Sequence, residues 1–165
     1  MLRYFNYDIV FQEIPDEITL AINITGCPYR CKGCHSPHLQ EPLGEYLSDQ
    51  VIERLLTEYS GRVTCLCFMG GDAEPSEIER LAEYINSKDI NIKIGWYSGR
   101  NKLPTDFSLK SFNYIKLGEY RDDMGGLGKR GTNQRLYLID QQIVSNPEIS
   151  PDSALKMFKI LKMDK

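Results

Sequence analysis

Cys27, Cys31 and Cys34 fall within one short loop, GCPYRCKGCHSPH, with the spacing C-x3-C-x2-C. Thiols this close together in so short a loop are poorly placed for ordinary disulfides and read as ligands. Thiolates bind soft metals and iron-sulfur clusters, and three of them converging from one loop can hold three corners of a cubane cluster, leaving the fourth iron without a protein ligand. Structural zinc is the other reading, with Cys65, Cys67, His35 or His38 as the fourth ligand. Zinc usually takes closed tetrahedral coordination from two separated ligand pairs, and no second C-x2-C or H-x3-H pair exists. Pro28 and Gly33 suit a loop that folds back on itself, and backbone N–H groups in such a turn can face cluster sulfurs.

A second group of polar residues follows apolar runs further along. Gly70-Gly71-Asp72 ends the run Val63 to Met69, and Ser98-Gly99 ends the run Asn91 to Tyr97. Paired glycines allow close backbone approach to a ligand, and a carboxylate can accept hydrogen bonds from an ammonium group. Alone, a G-G-D after a strand is more simply a turn leading into a helix with an N-terminal acid. Beside a cluster loop it gains the meaning of a binding site.

The elements that would position these groups alternate. Glu17 to Thr25 has period two, with Ile18, Leu20, Ile22 and Ile24 opposite Thr19, Ala21, Asn23 and Thr25, and predicts a strand running into the cysteine loop. Ser48 is a helix N-cap before Val51, Ile52, Leu55, Leu56 and Tyr59, and Gly61 closes the segment. Val63 to Met69 reads as a strand covered on both faces, with Cys65 and Cys67 as small core residues. After Pro75, the residues Ile78, Leu81, Ala82 and Ile85 predict a second helix. Asn91 to Tyr97, Tyr114 to Leu117 and Leu136 to Ile139 are further strands. The tail after Pro151, with Leu155, Phe158, Ile160 and Leu161, reads as a terminal helix. Strands alternating with helices predict an α/β fold with a mainly parallel sheet, open or curled into part of a barrel. Ligands gather at the carboxyl ends of such strands, where the cysteine loop, Gly70-Gly71-Asp72 and Ser98-Gly99 all fall.

Composition narrows the function classes. The 165 residues fit one domain spanning 1–165. A net charge of −3 with scattered basic residues argues against nucleic acid or an anionic membrane as partner. The amino terminus lacks a signal-type apolar run, and no stretch reaches the roughly 20 apolar residues of a membrane span. A cytoplasmic location is expected, where clustered cysteines mean metal or redox chemistry; the odd count of five cysteines also speaks against a disulfide framework.

Gly126 to Gly131 matches G-x-G-x-x-G, but neither a strand before it nor an apolar-periodic helix after it supports a dinucleotide site. A mobile glycine-rich loop is the better reading, and Gly131 to Arg135 is either a solvated loop or a contact to substrate or partner. For His35 and His38, loop packing or cofactor contact ranks above acid-base work. Lys129, Arg130, Asp122 and Asp123 receive no role.

These residues together resemble the radical S-adenosylmethionine (SAM) superfamily. C-x3-C-x2-C at the end of a first strand is its defining motif, and Gly70-Gly71-Asp72 stands where the superfamily has its G-G-E-type element. The short length, Gly33 before the third cysteine, and Gly131 to Arg135 resemble the activating proteins of the anaerobic, class III ribonucleoside-triphosphate reductases, from about Tyr7 to Ile139. The resemblance implies a partial (β/α) barrel of radical SAM type and a 4Fe-4S cluster on Cys27, Cys31 and Cys34, with SAM chelating the open iron. It also implies that Gly70, Gly71 and Asp72 bind the methionyl end, while Gly33, Cys34, His35 and Ser98 lie along the cofactor. A flavodoxin-like donor would supply the electron that cleaves SAM, and the resulting 5'-deoxyadenosyl radical would make a glycyl radical on the reductase large subunit. Activation of another glycyl radical protein, another small radical SAM enzyme, and a non-enzymatic zinc-stabilised adaptor are the alternatives. Two positions depart from the pattern: His35 follows the third cysteine where an aromatic such as tyrosine is expected, and the acid after the glycines is the shorter Asp72.

Overall fold

The computed structural model describes residues 1–145 and 159–161. Eight strands form one sheet in the order β3-β1-β2-β4-β5-β6-β7-β8. They are β1 (Arg3–Val10), β2 (Thr19–Ile24), β3 (Glu45–Tyr46), β4 (Cys65–Met69), β5 (Lys93–Tyr97), β6 (Tyr114–Leu117), β7 (Arg135–Leu138) and β8 (Lys159–Leu161). Two longer helices, α1 (Asp49–Glu58) and α2 (Pro75–Asn86), and the single turn α3 (Gln141–Val144) accompany them.

Both helices start as their sequences dictate. The Ser48 hydroxyl accepts from the Val51 N–H at the α1 N-terminus, satisfying one of the orphan amides of the first turn. Pro75 opens α2, where its missing N–H costs nothing. Ile52 and Leu55 of α1, and Ile78, Leu81, Ala82 and Ile85 of α2, are buried. They cover one face of the sheet, against Leu20, Ile22, Leu66, Phe68, Ile94 and Trp96. At about 1.5–3 kcal/mol for each large apolar side chain removed from water, this face supplies most of the driving force.

The sheet is mixed, which corrects the expectation of a mainly parallel one. Pairings β2–β4, β4–β5 and β5–β6 are parallel, whereas β1–β2, β1–β3, β6–β7 and β7–β8 are antiparallel. Hydrophobic period identifies a strand without giving its direction, and direction follows from the connection. The loop from Phe11 to Ile18 is too short for a helical crossover, so β1 returns as a hairpin with β2. From β5 to β6 the parallel crossover contains no helix; Leu103, Phe107, Leu109 and Phe112 are buried there instead, with the Phe107 ring 4.7 Å from Trp96. The tail expectation changes too: Ile160 and Leu161 lie in β8, not in a helix, while Leu155 and Phe158 lie outside the described residues.

Register defines what the other face carries. Ala21, Cys67, Gly95 and Tyr114 stand in one transverse row, and Asn23, Met69, Tyr97, Lys116 and Leu136 in the next, nearer the carboxyl ends of the parallel strands. Ile14, from the β1–β2 hairpin loop, packs with Cys65, Cys67, Tyr114 and Leu136 on this face. A Cβ on Gly95 would come within 2.9 Å of the Ile14 Cδ1 and 3.1 Å of the Cys67 Sγ, so the missing side chain is what admits the loop. The Tyr97 hydroxyl donates to the Glu13 carbonyl and ties the same loop down.

Candidate functional site

The cysteine loop leaves the carboxyl end of β2 and is stitched to β1 and to the chain that follows it. Thr25 N–H donates to the Arg3 carbonyl at 2.9 Å and the Thr25 hydroxyl to the Leu43 carbonyl at 2.8 Å. Gly26 and Cys27 N–H donate to the carbonyls of Glu41 and Leu39. These bonds hold both ends of a loop whose own sequence offers little regular structure, and the 3₁₀ turn Pro37–Gln40 completes the return. Inside the loop, Cys34 N–H donates to the Cys31 carbonyl at 3.2 Å.

All five cysteines are free thiols, with Cys27, Cys31 and Cys34 half-buried and Cys65 and Cys67 buried. Burial pushes the Cys27 thiol up, and nearby Asp72, Cys31 and Cys34 push it the same way, so these four groups share one electrostatic neighbourhood. Among the described residues no three His, Cys, Asp or Glu side chains stand in a ready-made metal-holding arrangement. The donor set nonetheless fits an iron-sulfur cluster: soft thiols from one tethered loop, with deprotonation coupled to metal uptake. It fits a closed zinc site poorly. The His35 ring packs at a tilt 4.7 Å from Tyr120, and His38 lies 5.0 Å from Phe5.

Cys65 and Cys67 line the second face of β4. Burial pushes the Cys65 thiol up to about 12 and the Cys67 thiol well above its ordinary value, which makes both poor nucleophiles and poor ligands. Iodoacetamide at about pH 8 is therefore expected to label the three loop thiols of the folded, metal-free protein and to spare Cys65 and Cys67 until denaturant is added. Peptide mapping by mass spectrometry checks this, and labelling of β4 at the rate of the loop would contradict it.

Gly70 and Gly71 carry the chain out of β4 with φ of 100° and 88°, a conformation that a side chain resists. A Cβ on Gly71 would also lie 2.5 Å from the Ile78 Cδ1. This turn delivers Asp72, only 2% exposed, to the rim. Its Oδ1 accepts from the Ser98 hydroxyl at 2.5 Å and its Oδ2 from the Gly99 N–H at 3.1 Å. Arg100 donates through Nη2 to the Asp72 carbonyl at 2.9 Å, and its Nε, buried without a hydrogen-bond partner, lies 3.7 Å from the carboxylate. Asp72 and Ser98, read from sequence as two separate binding residues, are thus directly bonded to each other. A carboxylate has about four lone-pair directions, so capacity remains beyond these two bonds.

Other residues close the rim. The Tyr29 ring fills the space above Gly99, where a Cβ would come within 2.7 Å of its Cδ2, and so joins the cysteine loop to the turn after β5. Gly33 faces Asp122, with 3.0 Å between a Cβ there and the Oδ1. Thr132 and Gln134 are buried and donate to the carbonyls of Gly125 and Gly118 at 3.0 and 3.3 Å. The segment Gly131 to Arg135 is thereby an internal brace in part, not a solvated loop throughout. Lys116, 8% exposed, donates to the carbonyls of Gly118 at 2.8 Å and Ser98 at 3.3 Å. Burial pushes its ammonium down to about 8, opposed by Asp72, Cys31, Cys67 and Cys27. Tyr29, Arg100 and Lys116 escape a reading of the sequence because nothing local distinguishes them from surface polar residues; the cue lies in position, three to five residues past a strand end or inside an apolar run.

A family model described as a 4Fe-4S single cluster domain matches residues 18–107, more than half of the chain. The match runs from the start of β2 to the crossover after β5, and so includes the cysteine loop, Asp72 and Ser98. No curated protein and no solved structure matches the chain. Among the described residues no helix is long and apolar enough to cross a membrane.

Proposed function

Because the chain belongs to the family of 4Fe-4S single cluster domains, we propose that it is a radical SAM activase that makes a glycyl radical on an anaerobic ribonucleoside-triphosphate reductase. The observation that carries this reading is the meeting of two sites at one rim: the cysteine loop after β2 and the Gly70-Gly71-Asp72/Ser98 network after β4 and β5, joined by Tyr29 over Gly99. A loop that supplied only structural metal would have no need of such a neighbour. Cys27, Cys31 and Cys34 hold the cluster. Gly70 and Gly71 let the backbone approach the methionyl end of SAM, and Asp72, held rigid by Ser98 and Gly99, offers its remaining lone pairs to the ammonium. Gly33, Cys34, His35 and Ser98 lie along the rest of the cofactor. We read the parallel strands β2, β4, β5 and β6 as the wall of a partial barrel of radical SAM type.

Bound together, cluster and SAM supply one-electron cleavage chemistry. The chain itself binds, orients and excludes water and oxygen, which is why no acid-base pair is required. In this reading a peptide loop of the partner approaches at this rim and completes the seal. A flavodoxin-like protein is the proposed electron donor.

Anaerobic reconstitution with iron and sulfide, followed by dithionite and SAM, is expected to yield 5'-deoxyadenosine only when reductant is present. Iron-loaded protein that forms none would overturn the activase reading. Near-stoichiometric zinc without iron uptake would instead make the chain an adaptor. A glycyl doublet by electron paramagnetic resonance on co-expression with the reductase tests the partner, and its appearance only with a different glycyl radical protein would reassign it.

A further inference from the structure

The chain between β6 and β7 closes on itself. At its neck a Cβ on Gly118, where φ is 116°, would lie 3.0 Å from the Gln134 Cα, and the Asn133 and Gln134 side-chain amides donate to the Glu119 and Gly118 carbonyls at 3.0 and 3.3 Å. Beyond the neck, the Arg121 carbonyl accepts from the Met124 and Gly125 N–H groups, the Gly126 carbonyl from Lys129, and the Lys129 carbonyl from Thr132; the Thr132 hydroxyl adds its bond to the Gly125 carbonyl. A loop whose ends touch and whose polar groups satisfy one another moves as a unit about its neck.

This unit rests on two surfaces through side-chain packing. The Tyr120 ring lies against His35 and the Asp122 side chain against Gly33, so both chain neighbours of Cys34 touch it. Leu127 packs against the apolar group of Ile14, Cys65, Cys67, Tyr114 and Leu136 on the second face. Among the described residues, the hydrogen bonds and ion pairs of residues 120–131 run to one another or to Thr132. Packing of a few side chains therefore holds the unit against the cysteine loop, and such contacts are readily exchanged for water.

We infer that residues 119–133 are a hinged flap that clamps Cys34 through its two neighbours. Closed, the flap fixes the third thiolate of the cluster; open, it frees that thiolate and uncovers the second face. Tyr120 and Leu127 are its positioning residues. The inference rests on the cluster reading above for what Cys34 holds, and not on SAM cleavage or on any partner.

Two measurements test it. In the metal-free protein, brief iodoacetamide labelling with peptide mapping gives the ratio of Cys34 to Cys27 modification; Cys27, tethered through the Leu39 carbonyl, is the internal reference. Leu127→Asp, which puts a charge where the flap meets the apolar face, and Tyr120→Ala are each expected to raise that ratio about tenfold, because labelling follows the open population. In the reconstituted protein the same variants are expected to lose iron to a chelator about tenfold faster than the wild type. Lys129→Gln, at an exposed position of the flap, is expected to change neither. If Leu127→Asp does not fold, Leu127→Ala is judged by the same ratio. An unchanged ratio in both the Leu127 and Tyr120 variants overturns the flap, and a raised ratio with wild-type iron loss overturns the clamp. A wild-type protein that takes up no iron overturns the cluster reading and the clamp with it, while the labelling ratio separately decides whether the flap opens.

Discussion

Cys27→Ala, Cys31→Ala and Cys34→Ala are each expected to abolish the cluster and reductant-dependent SAM cleavage, whereas Cys65→Ala keeps both. A cluster held by three thiolates has no spare protein ligand, and the neighbouring side chains are engaged elsewhere: His35 packs at a tilt against Tyr120, His38 edge-on against Phe5, and Cys65 is sealed in β4. Cys65→Ala removes one small buried group and should cost about 1 kcal/mol of packing. Iron and sulfide analysis with the visible absorbance of the reconstituted variants checks the set. Equal loss of iron in Cys65→Ala would move the ligand set from the loop into the sheet.

Asp72→Ala is the largest expected loss of stability. It leaves the Ser98 hydroxyl and the Gly99 N–H without their acceptor, and the Arg100 guanidinium without its ion-pair partner, at a buried position. Removing one partner of a buried charged network costs about 3 kcal/mol or more, or a fall in Tm of about 6–12 °C for a chain of this length. Thermal melts of the metal-free protein measure it. Asp72→Asn keeps the shape and one acceptor, so most of the stability should return while affinity for SAM does not. That split separates the structural bonds seen here from a contact to the ligand's ammonium; recovery of both would leave Asp72 with the structural task alone.

Some of this was legible in the residues and some was not. Helices α1 and α2 could be read nearly to their ends because caps and apolar spacing are local properties, and Ser48 and Pro75 do what their positions imply. Strands β2, β4, β5 and β6 were legible for the same reason. Strand β1 was not: along RYFNYDIV only Tyr4 is buried, so no apolar alternation marks it, and pairing with β2 holds it in place. The antiparallel margins were invisible because direction depends on which strand the chain returns to. At the site, residue types announced the cysteines and Gly70-Gly71-Asp72. The Asp72–Ser98 bond, the Tyr29 contact with Gly99 and the burial of Lys116 arise only when distant segments meet. The glycine-rich stretch at Gly126 lies in turns, and its neighbouring Gly125 carbonyl is bonded by Thr132.

Ile14, seated beside Gly95 with Tyr97 fastening the loop behind it, has a consequence for traffic. The half of the second face nearest the amino ends of the strands is already filled by the protein's own hairpin. A ligand held on that face is therefore expected to reach it from the end of the sheet that carries the cysteine loop, not from the hairpin end.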